Sequence, residues 1–298
     1  MISFKKEKLR NGEQVSMENR IVDLHTHTTE SDGSFTPEEL ILEAKRVGLS
    51  AIAITDHDSI SGIKKATPVA AKENIELIPG VEMSTDYNGK EVHVVGLFVD
   101  IENEYFLGKI KEFKENRDNR NVLMIENLQK EGFAITMEEL VAENPDCVIT
   151  RANIARFLYE HGMIPSIQTA FEKYIGDNCK CYVNRFKITP MDAVRLIKEA
   201  GGTAILAHPL LYHMSDATLQ KMIDEMKEAG LDGIEAIYCT YSPSEERQMK
   251  KLASENHLLV SGGSDFHGTT KPNLNLGTGY GKLYIPYEVL ETIKNSRK

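Results

Sequence analysis

Seven short apolar runs, separated by amphipathic stretches, constrain the fold of this chain more than any other feature of its sequence. Most of the runs are too short for helices and are rich in β-branched residues, which is typical of buried strands. They span residues 21–24, 51–55, 75–81, 92–99, 203–207, 232–237 and 258–263. The segments between them carry helix signals, such as Pro37 at the start and Gly48 at the end of PEELILEAKRVG. Strands that alternate with helices predict an α/β fold with a mainly parallel sheet, either open or closed into a barrel.

The alternation stops between residues 102 and 186, where the sequence predicts helices almost throughout. We therefore expect a helical insertion between the fourth and fifth strands, and we divide the chain of 298 residues into four segments. They are an N-terminal extension (1–20), a first α/β part (21–101), the insertion (102–186), which would cap a substrate, and a second α/β part (187–298).

Charge and composition limit the possible partners and the cellular compartment. The chain has 35 basic and 45 acidic residues, a formal charge of −10, and the insertion alone has 11 basic and 14 acidic residues. A protein that binds long nucleic acid needs a basic surface, so we expect no such partner. No apolar stretch reaches the length of a membrane span, and the four cysteines do not form a disulfide pattern. We expect a cytoplasmic protein with no membrane association and no obligate protein partner.

Six of the nine histidines lie at or beside the predicted strands, in the company of carboxylates. These residues are His25, His27, His57, His93, His208 and His267, with Asp32, Asp56, Asp58, Glu82 and Asp265 near them. The carboxyl ends of parallel strands meet at one edge of a sheet or barrel, where active sites form. Histidines and carboxylates that converge there without a thiolate suit Mn, Zn or Fe at a hydrolytic site. We expect structural roles for the other three, His161, His213 and His257.

The motifs that contain these residues follow one another in a characteristic order. They read H-x-H, S-D-G-x-x-x-P-E-E-L, T-D-H-D, G-V-E, H-x-V-G, A-H-P and S-D-F-H. This ordered set strongly resembles the polymerase-and-histidinol-phosphatase (PHP) superfamily of metal-dependent phosphoesterases, over residues 21–100 and 187–268. The resemblance implies a distorted (β/α)7 barrel that holds two to three divalent metal ions.

The same resemblance implies how nine residues divide among the ions. The first ion would be held by His25, His27, Glu82 and Asp265. The second would be held by Glu82, His93 and His208, so that Glu82 bridges two ions. The third would be held by Asp32, His57 and His267. A hydroxide that bridges two ions would attack the phosphorus of the substrate, so no serine or cysteine nucleophile is needed.

The insertion narrows the resemblance to the stand-alone branch that acts on nucleotides, because it carries T-R-x-x-I-A-R-x-L, then F-x-K-Y and K-x-Y-V. The resemblance implies hydrolysis of a phosphate monoester of a small nucleotide, with a 3′,5′-nucleotide bisphosphate as the main substrate. The alternatives are a 5′→3′ exoribonuclease of short 5′-phosphorylated RNA and a nucleoside monophosphate phosphatase. Two less favoured functions are a histidinol phosphatase and a non-catalytic metal-binding module. Relatives commonly carry histidine where this chain has Asn153, which would change a substrate contact.

Basic residues of the insertion are the candidates for binding phosphate. Arg117 falls where a stripe of apolar residues at helical spacing predicts a buried position, so Arg117 and Arg120 are candidates to face the barrel. The alternative for these two is a salt-bridged surface helix. The resemblance adds Arg151, which follows the helix-capping residue Thr150, and Lys180.

Overall fold

The computed structural model describes residues 20–144, 149–183 and 188–297, and it contains all seven predicted strands in a single sheet. The strands are β1 (Ile21–Asp23), β2 (Leu49–Ile54), β3 (Glu76–Tyr87), β4 (Lys90–Leu97), β5 (Thr203–Leu206), β6 (Gly233–Tyr238) and β7 (Leu259–Gly263). Each strand is hydrogen-bonded to the next one along the chain. The N-terminal extension expected over residues 1–20 lies, apart from Arg20, outside the described residues.

The first and last strands approach each other, so the sheet is almost closed into a barrel. The backbone N–H of Leu24, just after β1, donates to the carbonyl of Gly262 in β7 (3.2 Å). Beyond the two strands, the N–H of His27 donates to the carbonyl of Phe266 (2.9 Å). The expected α/β class and the seven-stranded barrel are confirmed.

One strand departs from the mainly parallel arrangement that the sequence predicts. Strands β1 to β3 are parallel neighbours, as are β5 to β7, but β4 is antiparallel to both β3 and β5. Strand β3 continues to Tyr87 and turns directly into β4 through Asn88 and Gly89, whose φ angles are 55° and 81°. An Asn-Gly pair favours such a two-residue hairpin turn, and Asp86 accepts a hydrogen bond from the N–H of Gly89 (2.8 Å). The expected alternation of strand and helix is therefore wrong at this point.

Helices connect the strands and cover them. Those in the described part of the chain are α1 (Pro37–Arg46), α2 (Ser61–Glu73), α3 (Glu104–Lys130), α4 (Met137–Glu143), α5 (Arg151–Glu160), α6 (Ile167–Ala170), α7 (Pro190–Glu199), α8 (Asp216–Glu228), α9 (Pro243–Glu255) and α10 (Tyr287–Ser296). The start signals act as expected, because Thr36 caps α1 ahead of Pro37 and Thr189 caps α7 ahead of Pro190. None of the described helices is both long and apolar enough to cross a bilayer.

The buried hydrophobic side chains form three clusters, and one of them belongs to the insertion. The first packs α1, α2, α7, α8 and α9 against one face of the strands and includes Phe106, Ile110 and Phe113 of α3. The second joins the opposite face of the strands to α10. The third contains Met124 and Leu128, near the end of α3, together with side chains of α4 and α5. Helix α3 therefore begins in the core of the barrel and ends in the insertion's own core.

Candidate metal centre

All nine candidate ligands lie at one end of the barrel. They are His25, His27 and Asp32 after β1, His57 after β2, Glu82 in β3, His93 in β4, His208 after β5, and Asp265 and His267 after β7. Parallel bridges between His57 and Glu82 and between Thr26 and Phe266 extend the sheet pairing beyond the strands. The loops that carry the ligands are therefore held in register by the sheet.

Glu82 occupies the middle of the cluster, with its two carboxylate oxygens facing different histidines. Oε2 lies 3.2 Å from Nε2 of His25, 3.2 Å from Nε2 of His27 and 3.1 Å from Nδ1 of His57. Oε1 lies 3.0 Å from Nδ1 of His93 and 3.0 Å from Nε2 of His208. This division gives Glu82 the geometry of a bridging carboxylate.

The two aspartates flank Glu82 on the side of β1 and β7. Oδ1 of Asp265 lies 3.2 Å from Nε2 of His27 and 3.4 Å from Nδ1 of His267. Oδ1 of Asp32 lies 3.2 Å from Nε2 of His267, and its Oδ2 lies 3.9 Å from Nε2 of His57. His57 thus stands between Asp32 on one side and the pair of Glu82 and His93 on the other.

Several buried ligand atoms form no hydrogen bond of normal geometry within the described residues, although each lies 3.1–3.2 Å from a carboxylate oxygen or ring nitrogen of another candidate ligand. They are Nε2 of His25, Nε2 of His27, Nδ1 of His57 and Oδ1 of Asp32. Leaving a buried polar atom without a partner costs roughly 1–3 kcal/mol. These atoms converge on one another, and imidazole nitrogen and carboxylate oxygen are donors that Mn, Zn and Fe accept. The residues present therefore fit a cluster of divalent metal ions.

Burial and opposite charges shift the pKa values of the cluster strongly. Burial alone would lower the pKa of His27 and His93, but Asp265 and Glu82 raise the first to about 9, and Glu82 raises the second to about 10. For His57 burial prevails, and its pKa falls to about 3. Burial would raise the pKa of Glu82, yet the surrounding histidines hold it well below its usual range. Glu82 is therefore ionised, and its charge is available to a metal ion.

The family of the chain follows from comparison with known proteins. The family model of the PHP domain matches residues 23–175, which include six of the nine candidate ligands. The chain belongs to the PHP family. The resemblance seen in the sequence motifs is thus confirmed, and with it the assignment to the metal-dependent phosphoesterases.

Relatives within the PHP family carry names from nucleotide chemistry. The chain is 36% identical over 268 residues to "5′-3′ exoribonuclease Rnm" of Escherichia coli (strain K12), which covers 89% of this chain and 90% of that protein. It is 32% identical over 258 residues to a "3′,5′-nucleoside bisphosphate phosphatase" of Chromobacterium violaceum, covering 86% and 90% of the two chains. Among solved structures, a protein from Bifidobacterium adolescentis assigned to the metal-dependent phosphoesterases has a TM-score of 0.81 at 28% identity, covering 94% and 96%.

A cavity of about 160 Å³ joins the PHP metal cluster to the insertion. Asp32 and His57 of the cluster line it on one side, and Arg117, Arg120 and Arg151 of the insertion line it as well. The expectation that Arg117 and Arg120 are buried on the face of α3 toward the barrel agrees with the structure.

Arg117 is fixed by an ion pair with the barrel. Its Nη2 contacts Oδ2 of Asp58, the residue after His57, and both side chains are buried. The other oxygen of Asp58 accepts a hydrogen bond from the backbone N–H of Ser84 (3.0 Å). Nη1 of Arg117 has no hydrogen-bond partner within the described part of the chain. Arg117 therefore ties α3 to the His57 loop.

Arg151, the first residue of α5, is held by two carboxylates. Its Nη2 lies 2.9 Å from Oε2 of Glu91, and its Nη1 lies 2.9 Å from Oδ1 of Asp177. Oε1 of Glu91 lies 3.1 Å from Nε2 of His93, so one carboxylate connects Arg151 to a candidate metal ligand. A phosphate that binds Arg151 has to join or displace these partners.

Two other predicted substrate contacts do not line the cavity. Nζ of Lys180 pairs with Glu131, the residue that follows the last turn of α3. The side-chain oxygen of Asn153 accepts hydrogen bonds from the N–H (2.8 Å) and the hydroxyl (2.7 Å) of Thr150, and its amide donates to Asn144 (3.1 Å). Asn153 thus stabilises the start of α5, and neither Asn153 nor Lys180 lines the cavity.

Sequence reasoning missed three polar side chains that lie behind the ligands. Oε1 of Glu235 lies 3.0 Å from Nδ1 of His25. The hydroxyl of Tyr238 donates to Oδ2 of Asp265 (2.7 Å), and Nζ of Lys271 lies 2.6 Å from the same oxygen. A charged residue inside the apolar run DGIEAI is a signal that points to Glu235. Tyr238 and Lys271 have no comparable signal: Tyr238 contacts Asp265 from the neighbouring strand, and Lys271 contacts it from six positions further along the same loop.

Proposed function

We propose that this chain hydrolyses the phosphate monoester of a small nucleotide, with a 3′,5′-nucleotide bisphosphate as its main substrate. The observation that carries the proposal is the cavity in which Asp32 and His57 of the metal cluster face three arginines of the insertion. A bisphosphate has two phosphate groups, and in this proposal one binds at the metal cluster and the other at the arginines. The name of the Chromobacterium violaceum relative supports the same substrate class.

The size of the cavity limits what enters it. Its volume of about 160 Å³ is smaller than the roughly 300–1,000 Å³ of pockets that enclose drug-sized ligands. It suits phosphate groups, so the remainder of a nucleotide or short oligonucleotide would extend toward solvent. With 11 basic and 14 acidic residues, the insertion offers no extended basic track for long RNA.

We propose that the nine rim residues hold two to three divalent ions, drawn from Mn, Zn and Fe. The proposed sets follow the resemblance and are His25, His27, Glu82 and Asp265 for one ion, Glu82, His93 and His208 for a second, and Asp32, His57 and His267 for a third. In the structure the ligand atoms are grouped differently in part, because His208 lies with His25 and Glu82, and His93 lies with His57 and Glu82. Bound ions would lower the pKa of a coordinated water and stabilise charge on the attacking and departing oxygens. Glu82 would contribute to two of these ions, because each of its oxygens faces different histidines.

Residues 102–186 form the proposed substrate-capping segment between the two barrel parts, 21–101 and 187–298. Arg117 has a fixed direction because Asp58 holds it, and a planar guanidinium suits a terminal phosphate. Arg151 would make the second contact to the substrate phosphate, through a guanidinium group that also pairs with Glu91 and Asp177. The position of Lys180 gives it no part in this arrangement.

A 5′→3′ exoribonuclease of short RNA is the second candidate. The supporting observation is the relative from Escherichia coli, named for that activity, whose identity of 36% exceeds the 32% of the bisphosphate phosphatase. Both activities need a phosphate at the arginines and a phosphoester at the metal cluster. The same cavity therefore serves either substrate.

Phosphate release by the protein loaded with Mn²⁺ separates the candidates. The substrates are adenosine 3′,5′-bisphosphate, AMP, a short 5′-phosphorylated oligoribonucleotide and histidinol phosphate. We expect the bisphosphate to have the highest kcat/KM, with inorganic phosphate as the product. A higher kcat/KM for the oligoribonucleotide, with release of mononucleotides, would favour the exoribonuclease. Absence of turnover on every substrate would contradict an enzymatic function and leave a metal-binding module.

A further inference from the structure

Strand β6 supplies none of the nine candidate ligands, although each of the other six strands or the loop after it supplies at least one. It lies between β5 and β7, whose following loops carry His208 and Asp265. Two polar side chains of β6, Glu235 and Tyr238, nevertheless contact the ligand segments. Glu235 is only 2% exposed.

Each carboxylate oxygen of Glu235 contacts a different ligand segment. Oε1 lies 3.0 Å from Nδ1 of His25, and Oε2 accepts a hydrogen bond from the backbone N–H of His208 at 2.8 Å. His208 has a φ of 27° and a ψ of 55°, a backbone conformation that residues other than glycine rarely adopt. Such a conformation persists only where neighbouring groups hold it. Glu235 is one of the groups that do so.

A buried carboxylate is costly unless an opposite charge or several hydrogen bonds compensate it. Within the described residues, Glu235 forms no ion pair with a lysine or arginine, and its ionisable partner is His25. The position of this carboxylate is therefore explained by the histidine it contacts and not by a conventional salt bridge.

We propose that Glu235 is a positioning residue of the metal centre. With a metal ion bound, its carboxylate would accept the Nδ1–H of His25, so that Nε2, which lies 3.2 Å from Oε2 of Glu82, would be the ring nitrogen that binds the ion. Histidines that bind metals commonly donate their other ring N–H to a carboxylate, which fixes the tautomer and the ring orientation. The proposal rests on the proposed metal centre and does not depend on which substrate is hydrolysed.

Tyr238 extends the same support to a third ligand segment. Its hydroxyl donates to Oδ2 of Asp265 at 2.7 Å. Oδ1 of Asp265, 3.2 Å from Nε2 of His27, is thereby left to face the cluster. Strand β6 thus orients ligands that belong to β1, β5 and β7.

An amide at position 235 cannot reproduce both contacts. If the amide oxygen of a Glu235→Gln variant accepts from the N–H of His208, its NH2 group faces Nδ1 of His25 and forces the proton onto Nε2. If the amide oxygen accepts from His25 instead, the NH2 group of the glutamine faces the backbone N–H of His208, and two hydrogen-bond donors oppose each other. Both arrangements disfavour metal binding, although the side chain keeps its size.

Metal affinity measured by dialysis against buffered free Mn²⁺, followed by elemental analysis, tests the proposal. We expect Glu235→Gln to weaken metal binding by about 10–100-fold, while the metal-free protein keeps a cooperative thermal unfolding transition. The matched control is Asp232→Asn, just before β6, whose carboxylate accepts the N–H of Ala204 on β5 (2.8 Å) far from the ligands. The control should retain the metal affinity of the wild type. Equal affinity in Glu235→Gln and the wild type would overturn the proposal.

A measurement on the wild type keeps the proposal testable if Glu235→Gln does not fold. In ¹⁵N NMR spectra of the Zn²⁺-loaded protein, we expect His25 to be protonated at Nδ1 and bound to metal through Nε2. Metal at Nδ1 of His25 would overturn the proposal. Neither metal measurement involves a substrate, so a failure of the proposed phosphatase activity is distinguishable from a failure of this inference.

Discussion

The rim of the barrel and the helical insertion hold their charged groups in different ways. On the rim, the ligands lie at or beside hydrogen-bonded strands, and backbone bridges such as that between His57 and Glu82 fix their spacing. In the insertion, two of the three arginines that line the cavity are held by side-chain ion pairs, Arg117 by Asp58 and Arg151 by two carboxylates. Groups fixed through the backbone suit metal ions, which require defined geometry, whereas side-chain pairs can exchange a partner for a substrate phosphate.

Helix α3 shows where the two regions meet. Its first half packs into the core of the barrel and its last turns pack into the insertion's own core, with Arg117 and Arg120 between them. We therefore expect variants of the two regions to fail differently. Rim variants should lose metal and turnover together, whereas insertion variants should keep their metal and lose discrimination among substrates.

The largest effect is expected for Glu82→Gln on the rim. Loss of a bridging carboxylate should lower the metal content and reduce kcat by more than about 100-fold. This loss is larger than the roughly 10–100-fold that is typical when a residue that only hydrogen-bonds to a metal ligand is replaced. Steady-state kinetics and elemental analysis measure both quantities, with thermal unfolding to verify the fold. Glu76→Gln, at the start of the same strand, is the matched control. A loss of only a few-fold would mean that Glu82 does not bridge two ions.

Asp32→Ala and His57→Ala should weaken the third ion and, through it, the binding of the substrate phosphate. Each variant is expected to contain less metal than the wild type and to have a higher KM, because both residues line the cavity as well as the cluster. Elemental analysis beside initial-rate measurements tests this. Unchanged metal content together with unchanged kinetics in both variants would show that Asp32 and His57 do not hold a third ion.

Arg151→Ala in the insertion should leave the metal content intact and affect only one class of substrate. We expect KM for adenosine 3′,5′-bisphosphate to rise by roughly tenfold or more. A hydrogen bond to a charged group contributes about 1.5–3 kcal/mol, and its loss weakens binding by at least that factor. KM for AMP should rise less, because AMP has no second phosphate. Lys180→Ala, a basic residue of the same insertion paired with Glu131, is the control and should not change either KM. An equal rise for both substrates in Arg151→Ala would contradict the role of this arginine.

The smallest effect is expected from salt. If a ligand needs only the metal cluster and the nearby arginines, a di- to tetranucleotide should be processed better than RNA of about 30 nucleotides, and added salt should change kcat/KM little. If a basic groove bound the RNA, the logarithm of the binding constant would fall against the logarithm of the salt concentration. The slope would be roughly −0.7 for each phosphate neutralised on a single strand. Rates that rise with RNA length and fall steeply with salt would assign the insertion a nucleic-acid-binding role.

Local patterns in the sequence predict most of the barrel and its ligands. Each strand is a short apolar run, and each ligand stands at a strand or in the loop after it, so His25 and Glu82 are recognisable from their motifs. The reversal of β4 was also signalled locally by Asn88 and Gly89, but the expectation of strand–helix alternation overrode that signal.

The remaining features depend on contacts between distant segments, which a single sequence does not reveal. Glu235 reaches His25 across 210 positions of the chain, and Lys180 pairs with Glu131 at the end of α3. The ion pair between Arg117 and Asp58 likewise joins two segments whose separation in sequence gives no indication of contact.

The metal content of the wild-type chain decides whether the rim holds a centre in which one carboxylate contributes to more than one ion. Elemental analysis of protein saturated with Mn²⁺ and freed of excess metal gives the number of ions per chain. We expect more than one ion per chain, since the nine candidate ligands form four overlapping groups, two of which include Glu82. At most one ion per chain would contradict this expectation.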